Sequence, residues 1–154
     1  FVIENNLYSS HMHMDERRKQ EDLLKIGESL GIESVRIDGN DLNAVVKVSD
    51  ELIKQIRTKS EPKILECMTY RWRGHVGPKW DEDVGVKRKD ELKYWFDKDP
   101  IANFKESLKE KGVTDANFKE IEEQVVHKIE ESIKFAKESP FPSPDSLEDF
   151  VFSD

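Results

Sequence analysis

Two clusters of side chains able to bind or move ions stand far apart in this chain. The first is Asn5-Asn6-Leu7-Tyr8-Ser9-Ser10-His11-Met12-His13, separated by Glu4 from the apolar run Phe1-Val2-Ile3. Asn5 and Asn6 offer neutral carbonyl oxygens, a ligand type that a hard cation such as Mg²⁺ accepts beside a phosphate or a carboxylate. The same dipeptide also makes an ordinary turn, and the two residues alone leave both possibilities open. His11 and His13 fit either a channel lining or an exposed elbow. The second cluster is Thr69-Tyr70-Arg71-Trp72-Arg73-Gly74-His75. An imidazole hydrogen-bonds anions and exchanges protons with them near neutral pH. The guanidinium of Arg71 is a fixed fork for a carboxylate or a phosphate. A lone histidine in a glycine-punctuated loop is commonly just solvated.

For either cluster to act, a scaffold must carry it to a crevice. Open α/β sheets provide one at the carboxyl ends of their strands. Phe1-Val2-Ile3 reads as the end of a buried strand. A helical pattern follows over about 16–30, with Leu23, Leu24, Ile26 and Leu30 near one stripe and Gly31 as its stop. Residues 34–38 alternate as a strand, and 39–41 turn it, with Asp41 as N-cap. Asp38, Asn40 and Asp41 look like a metal cluster, but a capped strand-to-helix turn is the simpler expectation. A helix over 42–57 and a strand over 63–70 complete an alternation that specifies a parallel sheet. Both clusters then lie at the same sheet edge. Glu66 stands in the middle of the last apolar strand. Either that strand exposes a face, or the carboxylate is paired, because an unpaired buried charge costs several kcal/mol.

Residues 72–89 lack periodicity and form a long glycine-punctuated loop, of the length that is usually functional or disordered. Helical segments follow over about 89–98, 100–111 and 115–138. The last carries Phe118, Ile121, Val125, Ile129, Ser132 and Ala136 in one stripe, with His127 beside it. Pro140, Pro142 and Pro144 fix an extended linker. The expected organisation is an α/β domain over 1–88 and a helical extension over 89–154.

The chain has 154 residues, a net charge of −8 and 38% charged residues, with acids and bases interleaved. That leaves no footprint for a nucleic-acid backbone. No run approaches the roughly 20 apolar residues of a membrane span, so no membrane role is expected. The single Cys67 reads as a small core residue in a reducing, cytoplasmic setting. A strand as the very first element is expected of the C-terminal piece of a longer chain.

Glu4-Asn5-Asn6-Leu7-Tyr8-Ser9-Ser10 resembles the closing half of the thiamine-diphosphate motif in the alpha subunits of 2-oxo acid dehydrogenases, the pyruvate, branched-chain and acetoin enzymes. Val35-Arg36-Ile37-Asp38-Gly39-Asn40-Asp41 and Tyr70-Arg71-Trp72-Arg73-Gly74-His75 are similar to further stretches of the same family, and the likeness covers essentially the whole chain. It implies the C-terminal portion of a thiamine-diphosphate-binding parallel-sheet domain followed by a helical extension. It also implies that the Asn6 side chain and the Tyr8 carbonyl hold Mg²⁺ on the diphosphate, that Arg71 orders the loop, and that His75 faces the cofactor as a catalytic group.

The opening Gly-Asp-Gly of the motif is not in this chain. The resemblance further implies a beta subunit, or a fused beta half, that supplies the activating glutamate. A lipoyl-carrying acyltransferase and a 2-oxo acid or acetoin substrate complete the set. This chain alone would then be inactive. It departs from the pyruvate enzymes at Val76, where the regulated mitochondrial forms carry a serine, and over 77–83, which lack their Ser-Asp-Pro pattern. The rival readings are a transketolase-like or sugar-modifying thiamine enzyme, and an acidic α/β interaction module.

Overall fold

The computed structural model describes residues 1–19, 22–80, 89–147 and 149–151. The chain divides into two units, Phe1–Leu108 and Lys109–Asp154.

In the first unit, β1 (Val2–Asn5), β4 (Glu33–Asp38) and β5 (Lys63–Met68) form a parallel sheet in the order β1-β5-β4. The central position of β5 explains its sequence. Strands covered on both faces read as continuous apolar runs, and Lys63 through Cys67 are all buried. Side chains alternate between faces. Leu65 and Cys67 pack with Leu52, and Val35, Ile37 and Val48 close around them. Leu52 and Val48 come from α3 (Leu42–Lys59), so this helix covers one face. Asp41 caps it, its Oδ1 accepting from the backbone N–H of Asn43 at 3.0 Å and Ala44 at 3.1 Å. The other face meets α2 (Leu24–Ser29) at Gly27, where a Cβ would sit 2.5 Å from the Ile64 Cδ1 and collide with Ser34 Oγ.

The helix expected over 16–30 is two pieces instead. A short α1 (Met14–Arg17) ends where Arg18 turns extended, and α2 begins at Leu24. The supposed stripe is not what is buried: Ile26 and Leu30 are 44% and 70% exposed, and the buried contact is made by Gly27. Backbone proximity to the sheet, not an apolar stripe, sets this helix. Between β1 and α1 the chain makes a small hairpin from β2 (Tyr8–Ser9) and β3 (Met12–His13), paired Tyr8 with His13.

Of the long loop, residues 81–88 lie outside the described residues. The described part closes on itself through a bridge between Arg73 and Trp80. Helix α4 (Lys89–Phe96) follows, then α5 (Pro100–Lys109).

The second unit is built on α6 (Asp115–Glu138). Thr114 and Asn117 form a capping box at its start, and Phe118 is buried. Ile121, Val125, Ile129 and Ile133 each expose about half their surface, at 55%, 50%, 53% and 49%. His127 is exposed beside Glu131, at 3.4 Å. The proline-rich tail is not wholly extended, because Pro144–Ser146 winds one 3₁₀ turn capped by Ser143. No helix among the described residues is long and apolar enough to cross a membrane.

Candidate active site

The Glu66 alternative resolves as a paired carboxylate. Glu66 is wholly buried, and its partners come from both neighbouring strands. Oε2 accepts from Arg36 Nε at 2.6 Å, and Oε1 accepts from Asn5 Nδ2 at 2.7 Å. Arg36 and Glu66 are direct neighbours in the β4–β5 register. Arg36 Nη2 also donates to Asp22 Oδ1 at 2.6 Å. This bond holds the Asp22 carboxyl below its usual range, while the bond to Glu66 first, and that to Asp22 after it, raise the guanidinium above its own.

Asn5 is the last residue of β1, and its backbone carbonyl accepts from Thr69 N–H at 3.0 Å. Its side-chain Oδ1 accepts from Leu7 N–H at 3.0 Å, and Leu7 adopts φ +67°. Asn6 Oδ1 accepts from Tyr8 N–H at 2.9 Å. Two successive asparagine turns therefore bend the chain at the end of the strand. Met14 N–H closes the elbow by donating to the Leu7 carbonyl at 2.8 Å.

Behind the elbow lies a cavity of about 310 Å³, lined in part by Asn5, Leu7, His13, Asp15 and Arg36. His13 and Asp15 pair at 2.5 Å, and this hydrogen bond lowers the Asp15 carboxyl from its ordinary range.

The second cluster reaches the same edge. Arg71 Nη2 donates to the Ser10 carbonyl at 2.7 Å, Nε to the Arg73 carbonyl at 3.1 Å, and Nη1 lies 3.1 Å from His75 Nδ1. The His11 and His75 rings stand 6.5 Å apart. Arg73 lies over Trp80 at 3.9 Å and donates to the Pro78 carbonyl at 2.9 Å. Gly74 N–H donates to the Lys79 carbonyl at 2.8 Å.

Asn6, Tyr8, Arg71 and His75 are thus gathered at one end of the sheet, linked through Ser10. Glu91 was not legible beforehand. Its Oε2 accepts from Tyr8 Oη at 2.8 Å and from Tyr70 Oη at 3.0 Å, joining α4 to both clusters. Tyr70 in turn stacks on Trp95 with centroids 5.4 Å apart. No sequence signal marks Glu91. For the Glu66–Asn5 link the signal was the lone charge in an apolar strand.

The donor chemistry at the elbow fits a hard cation beside a diphosphate. A carboxamide oxygen has two lone pairs, so the bond from Tyr8 N–H leaves Asn6 Oδ1 able to take a second partner. Both candidate donors are neutral, and among the described residues no group of three His, Cys, Asp or Glu side chains could hold a metal. The anionic share of such a site must then come from elsewhere. Asp38, Asn40 and Asp41 form the expected turn. Asp38 Oδ1 accepts from Asn40 N–H at 2.9 Å, and buried Asn40 accepts from Thr69 Oγ1 at 2.9 Å while donating to the Lys98 carbonyl at 3.0 Å.

Two polar clusters converge on the carboxyl edge of a parallel sheet, the edge where open α/β folds bind ligands, and the family model described as Dehydrogenase E1 component matches residues 1–145, so the chain belongs to that family. Its relatives narrow the class. It is 35% identical to the rice pyruvate dehydrogenase E1 component subunit alpha-3, chloroplastic, over all of this chain and 36% of that protein. It is 33% identical to the pyruvate dehydrogenase E1 component subunit alpha of Rickettsia felis, over 96% of this chain and 44% of that protein. With the subunit of the same name from Porphyra purpurea it shares 28% identity, over 100% of this chain and 44% of the relative. The chain therefore spans less than half the length of these relatives.

Proposed function

We infer that this chain is part of the alpha subunit of a thiamine-diphosphate-dependent 2-oxo acid dehydrogenase. Family membership and the names of the relatives support that class over the transketolase-like and interaction-module alternatives. The observation that carries the site assignment is the Arg71–Ser10 hydrogen bond, which joins two polar clusters 61 residues apart in sequence.

Thiamine diphosphate, when bound, supplies the carbanion chemistry that cleaves the bond beside a keto carbonyl. The chain's own residues do the rest of the work at this edge. The Asn6 carboxamide and the Tyr8 carbonyl would hold Mg²⁺ at the diphosphate. Arg71 fixes the loop by its three-way contact. His75 donates a hydrogen bond to developing negative charge and exchanges a proton with it. The beta subunit, separate or fused, completes the cofactor site, and a lipoyl-carrying acyltransferase takes the acyl product in a cytoplasmic setting. The substrate is a 2-oxo acid, with acetoin as the alternative for a loop that carries Val76.

The full-length alpha subunit, assembled with its beta part, is expected to reduce an artificial electron acceptor with a 2-oxo acid or acetoin. Turnover should require both thiamine diphosphate and Mg²⁺. Absence of turnover with pyruvate, branched-chain 2-oxo acids and acetoin alike would overturn the assignment.

A further inference from the structure

We propose that buried Glu66 is a positioning residue for the metal-holding elbow and acts on it through Asn5, an inference that rests on the proposed roles of Asn6 and Tyr8. The Glu66 carboxylate is fully buried, with Arg36 Nε on one oxygen and Asn5 Nδ2 on the other. Only the carboxylate of this ion pair is buried, the Arg36 side chain being 40% exposed, and desolvation of Glu66 offsets much of the attraction, so the pair is weak ground for stability. An apolar side chain at 66 would fill the core without that cost, so the carboxylate calls for a role beyond filling it. The Asn5 contact provides one.

With its amide nitrogen held by Glu66, the Asn5 carboxamide has one orientation, and its oxygen is aimed at Leu7 N–H. That bond holds Leu7 at φ +67°, a left-handed conformation that a side chain as large as leucine seldom adopts. Leu7 stands between Asn6 and Tyr8. The strained residue therefore fixes the relative placement of the Asn6 carboxamide and the Tyr8 carbonyl, the two donors assigned to the metal. Mg²⁺ demands near-ideal octahedral geometry, so small errors in that placement weaken binding. A charged acceptor buried in the central strand is a firm anchor, because charge-assisted hydrogen bonds are about twice as strong as neutral ones.

The test is a double-mutant cycle on the full-length, assembled protein. Mg²⁺ is titrated in the presence of thiamine diphosphate and followed by calorimetry, alongside thermal unfolding. In Glu66→Gln one carbonyl oxygen must serve two donors. The charged Arg36 keeps it, and Asn5 loses its partner. Glu66→Gln and Asn5→Ala are each expected to weaken Mg²⁺ binding about tenfold, the scale of one hydrogen bond to a charged group. The double variant should be no weaker than Asn5→Ala alone, because Glu66 acts through Asn5. Additive losses, or wild-type Mg²⁺ affinity in Asn5→Ala, would overturn the proposal. Asn5→Ala leaves the Glu66–Arg36 pair in place, so wild-type Mg²⁺ affinity in that variant overturns the proposal even if Glu66→Gln does not assemble. Asn6→Ala separates the two failures. If it binds Mg²⁺ normally, the metal site itself is misassigned. If it loses Mg²⁺ while Asn5→Ala does not, only the positioning role falls.

Discussion

Arg71 Nη1 donates to His75 Nδ1 across 3.1 Å. A guanidinium has donors and no acceptor, so Nδ1 must carry the lone pair and the neutral imidazole holds its proton on Nε2. His75 therefore presents an N–H on its far side. The same arginine holds the Ser10 carbonyl, so the imidazole is referenced to the elbow as well as to its own loop.

Replacing His75 by alanine in the assembled full-length enzyme is expected to lower turnover by roughly 10²-fold or more, a typical acid–base contribution. Thiamine diphosphate affinity should change much less, because the metal clamp is assigned to Asn6 and Tyr8. Steady-state rates with a cofactor titration on the same variant check this, and near-normal turnover would remove His75 from the chemistry.

The N-cap of α3 offers a test of stability away from the site. Asp41 accepts two backbone N–H bonds, from Asn43 and Ala44. Asp41→Ala should cost about 1 kcal/mol, read from the midpoint of denaturant unfolding at unchanged slope.

Gly39 sits where the chain leaves β4, with its N–H donating to the Met68 carbonyl at 2.8 Å. A Cβ there would stand 2.8 Å from Cys67 Cβ and 2.9 Å from the Met68 carbonyl oxygen, which belongs to backbone and cannot swing aside. Gly39→Ala is expected to destabilise by about 1–3 kcal/mol, the usual range for overpacking. Thermal unfolding of wild type and variant would measure it.

Burial pushes the Cys67 thiol above its ordinary 9.0, and the charges of Glu4 and Glu66 add to the effect. Above that value the unfolded chain has released the thiol proton while the folded chain keeps it. Stability from this group is therefore present at neutral pH and falls as the pH rises past the unfolded value. Cys67→Ala should flatten the loss of stability on the alkaline side in denaturant titrations. The wild-type thiol should react with a disulfide reagent only as fast as the protein opens.

The parallel sheet, the Asp41 cap and the long last helix were legible because each is written locally, in a periodicity or a single capping residue. The two polar clusters were legible as types, and the sheet's parallel order was enough to bring them to one edge. Four things were not. The choice between a paired and an exposed Glu66 depended on Asn5 and Arg36, which lie 61 and 30 residues away. The hairpin at the elbow uses left-handed backbone at Leu7 and Ser10, residue types that do not advertise it. The break between α1 and α2 was hidden because leucines suggested a stripe, while the contact that fixes α2 is made by a glycine. Glu91 gathers two tyrosines from distant segments, and nothing in its own neighbourhood foretells it.

The order of the strands also sets an order of events in folding. Strands β4 and β5 are joined by a crossover that brings Arg36 to Glu66 over 30 residues, whereas β1 reaches the same carboxylate over 61. The longer closure costs more chain entropy, about 0.6 kcal/mol for a doubling of length. It also has no template until β5 is in place. Among the three strands described, the β4–α3–β5 unit therefore closes over the shorter loop, and β1 pairs with it over the longer one. The elbow follows β1 directly, so its shape depends on that longer pairing. Amide hydrogen exchange should report this as weaker protection in β1 than in β5, with Mg²⁺ and thiamine diphosphate closing the gap in the assembled protein.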